Sequence, residues 1–161
     1  MHSRYTLMTL ALIVSACTPA LNWRESRPEG AAVQLLFPCK PELQSRPHMG
    51  LARCEAAGLE FSLSWAELPE PTQAGAALRQ MREALLRKLD GTAETPQAFA
   101  VRGMTPLSEA LVQRVDGSRP ARLALFARGA RVYQLVMSGP RVDDAAWEAF
   151  AGSIQLLDVA P

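Results

Sequence analysis

The spacing of the apolar residues changes abruptly near residue 70 of this 161-residue chain. In residues 59–65, LEFSLSW, apolar and polar side chains alternate, and this period of two is typical of a half-buried strand. In residues 72–90 the apolar residues instead recur every three or four positions, and Gly91 follows as a stop signal. The change predicts a strand that leads into a long helix.

Two further strands are expected before this pair. Residues 31–37 (AAVQLLF) and 51–55 (LARCE) have strand-like apolar residues, and we expect the two strands to be antiparallel neighbours. The segment between them, residues 39–50 (CKPELQSRPHMG), contains two prolines and a glycine. That composition predicts a loop.

The segments after the helix predict more strands and a second helix. Residues 98–103 and 109–117 are strand candidates, and residues 121–139 have two apolar runs around ARGAR, which predicts a hairpin. Residues 142–157 predict a short helix with Asp143 or Asp144 as its N-cap. The predicted fold class is α+β, an antiparallel sheet with one long helix and one short C-terminal helix packed on it.

The first sixteen residues have the three parts of a secretory signal. Arg4 supplies positive charge, and residues 7–14 (LMTLALIV) form an apolar run that is too short for a bilayer, which takes about 20 residues. Small residues, Ser15 and Ala16, follow this run. Residues 1–16 are therefore interpreted as a signal peptide that takes no part in the fold.

Residues 14–17, VSAC, resemble the lipobox of bacterial lipoproteins. The resemblance implies that Cys17 is acylated and begins the mature chain, and two or three acyl chains would hold a small protein on a membrane. Because Thr18 rather than Asp follows Cys17, the resemblance implies the periplasmic face of the outer membrane of a Gram-negative bacterium. An ordinary signal peptide with an incidental cysteine and an uncleaved anchor helix remain open.

The segment after Cys17 has two prolines, a glycine and no apolar periodicity. It predicts a flexible tether over residues 17–30, followed by a single α+β domain over residues 31–161. Trp23 is the one aromatic residue of the tether. Two places suit its indole ring, a docking position on the domain or the lipid interface.

Cys39 and Cys54 are the two cysteines that remain after Cys17. In an exported protein such a pair is first interpreted as a disulfide, which here would close a loop of about 15 residues. Free thiols and a zinc site with His48 are the alternatives. Three ligands at this spacing match none of the compact zinc motifs, so we predict no metal.

The order of these elements resembles the PsbP-like α/β/α sandwich family. The resemblance is carried by LLFPCKPE, by LEFSLSWAELPEP, which leads into the long helix, and by ARGARVYQLVMSGP, which is followed by a helix ending in FAGSIQ. It covers most of residues 31–158. The family supplies no catalytic residues, and its members include assembly and adaptor subunits, so the resemblance implies a similar, non-catalytic role.

Composition and motifs favour binding over catalysis. The chain has 17 basic and 16 acidic residues, so no global field favours nucleic acid. His48 is the only histidine outside the signal segment, and no nucleophile motif or phosphate-binding loop occurs. We predict no catalytic residues and no cofactor. The expected function is an adaptor or assembly lipoprotein that binds another envelope protein, and the alternative is a small-molecule or lipid-binding module.

Overall fold

The computed structural model describes residues 20–158. Eleven strands and two α-helices follow one another along these residues. In chain order the elements are β1 (Arg24–Ser26), β2 (Val33–Phe37), β3 (Glu42–Arg46), β4 (Met49–Ala56), β5 (Leu59–Glu67), α1 (Ala74–Leu89), β6 (Thr92–Ala93), β7 (Gln97–Ala98), β8 (Leu111–Asp116), β9 (Ala121–Arg128), β10 (Arg131–Ser138), α2 (Asp144–Ala151) and β11 (Gln155–Leu156).

The strands form two antiparallel sheets. The large sheet has eight strands in the order β3-β4-β5-β10-β9-β8-β6, and β7 also pairs with β8. The small sheet has three strands in the order β1-β2-β11. The hairpin predicted over residues 121–139 is confirmed as β9 and β10, which pair from Arg131 with Arg128 to Ser138 with Ala121.

The large sheet is covered differently on its two faces. On one face α1 packs against β9 and β10, and Leu78, which is fully buried, is the centre of that contact. On the other face lie the small sheet and α2. These three layers confirm the predicted α+β class, with antiparallel sheets, one long helix and one short C-terminal helix.

Aromatic side chains join the small sheet and α2 to the large sheet. The ring of Phe150 on α2 lies 5.1 Å from Phe37 on β2 and 5.4 Å from Phe61 on β5, both edge to face. Such aromatic pairs contribute about 0.5–1.5 kcal/mol beyond the area they bury. Three elements that are far apart in sequence therefore share one core.

The ends of both helices follow the predicted signals. Asp143 caps α2 by accepting a hydrogen bond from the Ala146 N–H at 2.9 Å, so the first of the two N-cap candidates is confirmed. A short 3₁₀ turn, Pro71–Gln73, leads into α1. α1 ends at Leu89, and its C-cap residue Asp90 adopts a left-handed conformation one residue before the predicted glycine stop.

Three predictions of local structure are wrong. Residues 39–50 were expected to form a loop, but they contain β3, because Pro41 precedes this strand and Pro47 lies in the turn after it. The candidate at residues 98–103 forms no strand beyond its first residue, Ala98, which is the last residue of β7. The strands that end at Phe37 and include Cys54 are not neighbours, because β2 pairs with β1 and β11 in the other sheet.

The N-terminal segment also differs from its prediction. Part of the tether expected over residues 17–30 is β1, whose three residues pair with β2. Trp23 is half-buried and its ring meets Phe61 edge to face at 5.9 Å, so the indole docks on the domain. The ordered domain therefore begins on the N-terminal side of residue 31. Within residues 20–158 there is no helix with the length and apolar character needed to cross a membrane.

Candidate functional site

Cys17, the predicted lipidation site, lies outside the described residues. The chain contacts the domain soon after it, since Leu21 packs at the edge of the core and the Asn22 N–H donates to the Pro38 carbonyl at 2.9 Å. These contacts fix residues 21–26 on the face of the large sheet that carries α2.

Cys39 and Cys54 are bonded to each other, as expected from the sequence. Their α-carbons are 6.0 Å apart, within the roughly 4.4–6.8 Å that a disulfide requires. Cys39 follows β2 of the small sheet and Cys54 lies on β4 of the large sheet. The bond therefore joins the two sheets and does not join neighbouring strands of one sheet.

His48 lies in the turn between β3 and β4, where it has a positive φ of 66°. Its carbonyl accepts a hydrogen bond from the Glu67 N–H at 2.7 Å, and His48 lines a different surface cavity from Cys39 and Cys54. In the described part of the chain no three His, Cys, Asp or Glu side chains are grouped so as to hold a metal ion.

An apolar groove runs beside α1, on the part of the α1-bearing face of the large sheet that the helix does not cover. It has a volume of about 560 Å³ and lies between the β3–β4–β5 part of the sheet and Met81 of α1. Its lining residues are Gln44, Ser45, Arg46, Met49, Gly50, Leu51, Ser64, Trp65, Ala66 and Met81. We call this feature the α1 groove.

The register of the strands explains why this groove is apolar. Met49 is opposite Ala66 and Leu51 is opposite Ser64, and side chains on opposite residues of paired strands lie on the same face. Met49, the first residue of β4 after the β3–β4 turn, is 50% exposed although it is a large apolar residue. The floor of the groove is thus an apolar surface in contact with solvent.

One positive charge lies at the rim of the groove. Arg46 is the only charged residue that lines it, and its side chain forms no ion pair within residues 20–158. This guanidinium favours a negatively charged group at the rim of the groove.

A hydrogen-bonded cluster supports the sheet beside the groove. Arg131 donates to the Glu67 carboxylate at 2.6 Å, and the buried Tyr133 hydroxyl donates to the Ala31 carbonyl at 2.9 Å. The hydrogen bond and the charge of Arg131 hold the pKa of Glu67 below its ordinary value. Burial raises the pKa of the Tyr133 phenol. The cluster ties β5 and β10 to the segment before β2.

The cysteine pair is predictable from the sequence, whereas the α1 groove is not. Ser64 and Trp65 belong to a predicted strand and Met81 to the predicted helix, but residues 44–50 belong to the predicted loop, so the face that these residues share is not recognisable from sequence. The available signal was the presence of Leu43 and Met49 in a segment otherwise rich in polar residues and prolines. Within residues 20–158 these two are the large apolar side chains that are largely exposed.

No protein-family model matches this chain, and no curated protein matches it. Similar solved structures include the solution structure of cyanobacterial PsbP (CyanoP) from Synechocystis sp. PCC 6803, with 12% identity and a TM-score of 0.49 over 88% of this chain and 95% of that chain. Another is a crystal structure from Bacteroides thetaiotaomicron VPI-5482, with 12% identity and a TM-score of 0.44 over 82% of this chain and 47% of that chain. Inferences about function therefore start from the surface of this chain.

Replacement of both Cys39 and Cys54 by Ser is expected to lower the free energy of unfolding by about 2–5 kcal/mol, because the bond restricts the unfolded chain. Denaturant unfolding of the two-site variant and of the native protein measures this difference. The native protein treated with a thiol reductant should lose the same amount. Two titratable thiols in the unfolded, unreduced native protein would contradict the disulfide.

The ion pair of Glu67 and Arg131 is expected to make stability depend on pH. Because the folded state lowers the pKa of Glu67, its contribution is present above the ordinary value near 4.5 and is lost as the pH falls through the lowered value. The pair is partly exposed, so the loss is at most about 1 kcal/mol.

Denaturant unfolding of the Glu67→Gln variant between about pH 3 and pH 7 measures this contribution. The difference from the native protein should be largest at neutral pH and should vanish in acid. A difference that stayed constant over this range, or grew in acid, would contradict the assignment.

Proposed function

We propose that this chain is a lipid-anchored envelope protein that binds another envelope protein through the α1 groove. In this proposal residues 1–16 are a signal peptide, and acylated Cys17 attaches the protein to the periplasmic face of the outer membrane of a Gram-negative bacterium. The domain acts as a non-catalytic adaptor. The observation that carries the proposal is the uncovered apolar floor of the groove beside α1.

The short distance from Cys17 to the domain would hold the domain close to the membrane. Leu21 packs at the edge of the core, and four residues of extended chain span at most about 14 Å. If Cys17 carries the acyl chains, the side of the domain that contains Leu21 and β1 lies near the lipid.

This attachment would leave the α1 groove accessible. Residues 21–26 belong to the layer of the small sheet and α2, whereas the groove lies on the opposite face of the large sheet. The large sheet therefore separates the groove from the anchor. An anchored domain would present α1 and the groove to the periplasm, where another envelope protein could reach them.

The shape and chemistry of the groove favour a protein partner. The groove is open along its length and is bounded by the unpaired charge of Arg46, so the surface combines an apolar centre with a polar rim. Protein interfaces typically combine these two features. Ser64 and Gln44 add hydrogen-bonding groups at the floor and the rim.

A small apolar ligand is the second candidate occupant, because the volume of about 560 Å³ is within the range of ligand pockets. Native mass spectrometry of the protein extracted from its membrane distinguishes the two. A retained small molecule that Met49→Asp abolishes would favour the ligand-binding function. A partner protein crosslinked at the groove would favour the adaptor.

Replacement of Cys17 by Ala is expected to abolish incorporation of labelled fatty acid and to leave the precursor uncleaved, because the thiol is the proposed site of acylation. Metabolic labelling followed by intact mass measurement tests both effects. Cys39→Ser with Cys54→Ser is the matched control, in which labelling should persist. Labelling that survived in the Cys17→Ala variant would contradict the lipoprotein assignment.

A photo-crosslinking residue at Met49 is expected to capture one defined envelope protein in intact cells, because this side chain lies in the exposed part of the groove. The same residue at Ala145, which is exposed on α2 at the opposite face, is the control and should not capture that protein. Adding Leu51→Asp should reduce the yield at Met49 several-fold. Equal capture at both positions, or no capture at Met49, would contradict the adaptor proposal.

A further inference from the structure

We propose that β3 pairs with β3 of a second copy of this chain, so that two large sheets join into one continuous sheet. β3 is at the edge of the large sheet, and no strand within residues 20–158 pairs with its outer side. All five of its residues are exposed. An edge strand with free backbone groups is a ready template for pairing with another strand. This inference does not depend on the adaptor function.

The charges of β3 are complementary to themselves in one register. If two copies pair antiparallel with Gln44 opposite Gln44, Glu42 of each copy lies opposite Arg46 of the other. The two-fold axis repeats this pair, so the interface between the copies contains two Glu42–Arg46 pairs, both on the same face of the joined sheet. Arg46 is free to form such a pair because it has no ion-pair partner within residues 20–158.

The same register also covers an exposed apolar side chain. Leu43, which is 43% exposed, lies on the face of the sheet opposite to Glu42, because successive side chains alternate along a strand. In the paired strands Leu43 is opposite Ser45 of the second copy and diagonal to its Leu43. Diagonal neighbours of this kind are close enough for long side chains to touch. Pairing therefore removes from water one of the two large apolar side chains that are exposed within residues 20–158.

The turn after β3 determines which backbone N–H and C=O groups of β3 point away from β4 and are available to a second copy. Pro47 and His48 connect β3 to β4, and Arg46 pairs with Met49 across this two-residue turn. In a two-residue hairpin the residues that close the turn bond to each other, and alternate residues then point away. The N–H and C=O groups of Leu43 and Ser45 are consequently the ones directed outward, and in the Gln44-centred register they face each other across the axis.

The prolines beside β3 limit the register. Pro41 and Pro47 have no N–H, so strand pairing cannot continue beyond residues 42–46 on either side. A shift of two residues would shorten the paired segment and place Glu42 opposite Gln44. The Gln44-centred register thus keeps the longest pairing and both charge pairs.

A two-fold axis through Gln44 is perpendicular to the sheet, so both copies keep the same face toward the same side. The β1 segments of the two copies then lie together on one side, and the two α1 grooves lie together on the other. Two chains anchored in one membrane can therefore pair in this way. The pair would present two grooves, which strengthens binding to a partner with two matching sites.

The contact is small, and this sets its expected strength. Five residues per strand bury less area than a standard interface, so the dissociation constant in solution should be weak, in roughly the micromolar to millimolar range. Confinement to a membrane surface raises the local concentration of the chains.

Sedimentation equilibrium of the full chain in detergent, with charge variants, tests the pairing. Glu42→Arg and Arg46→Glu should each weaken self-association at least about tenfold, because each puts like charges opposite each other twice. An equimolar mixture of the two variants should associate at least as well as the native chain, since every pair is then complementary. The chain that carries both substitutions should also associate. Recovery in the mixture shows that the single variants are folded.

Disulfide capture in intact cells gives a second measurement. Gln44→Cys places its α-carbon about 4.5–5.5 Å from the same atom of the second copy, within disulfide reach. Ser118→Cys, in the exposed turn between β8 and β9, is the matched control. We expect crosslinked dimer with Gln44→Cys and little with Ser118→Cys.

Two results would overturn the pairing. The first is a native chain that stays monomeric up to about 1 mM while Gln44→Cys crosslinks no more than Ser118→Cys. The second is self-association that the single charge reversals leave unchanged, or that the mixed variants fail to recover. Either result would leave the adaptor proposal standing, because the apolar floor of the α1 groove, with Met49 and Leu51, belongs to each copy alone.

Discussion

The contact of Phe150 with Phe37 and Phe61 is the interaction on which the rest of the structure depends. It brings α2 and the small sheet onto one face of the large sheet, and the disulfide between Cys39 and Cys54 joins the same two sheets at one end. Neither the small sheet nor α2 could bury its apolar side chains alone, because three strands and eight residues of helix form no core of their own. The small sheet and α2 together therefore cover the apolar side chains on one face of the large sheet.

The other face is covered only in part. α1 packs against β9 and β10, and the sheet continues beyond it through β5, β4 and β3. Three strands at about 4.8 Å spacing are roughly 14 Å wide, slightly more than the diameter of one helix. The α1 groove is the part of this face that α1 does not cover. Its Met49 is exposed because no second helix within residues 20–158 packs over these strands. The proposed adaptor role assigns this surface to another protein.

The parts of the fold predicted from sequence are those with strong periodicity. Residues 59–65 alternate and Leu78 belongs to a helical repeat, so β5 and α1 were recognised, and the Asp143 cap located α2. β3 was missed because edge strands carry prolines beside them and polar side chains on both faces, which is also the composition of a loop. The placement of β2 in a separate sheet depends on contacts between distant residues, and no local pattern encodes it. The cysteine pair was predictable from the number of cysteines and the expectation of export, whereas the groove required the strand register.

Radical oxidation of the methionines measures most directly whether the α1 groove is a contact surface in the cell. The account predicts that Met49 and Met81 are oxidised several-fold more slowly in the intact envelope than in the isolated full chain, because a bound partner covers them. Met104, which packs on the other side of the sheet, is the internal reference and should react equally in both preparations. Equal oxidation of Met49 and Met81 in the envelope and in isolation, with Met104 unchanged, would contradict the account.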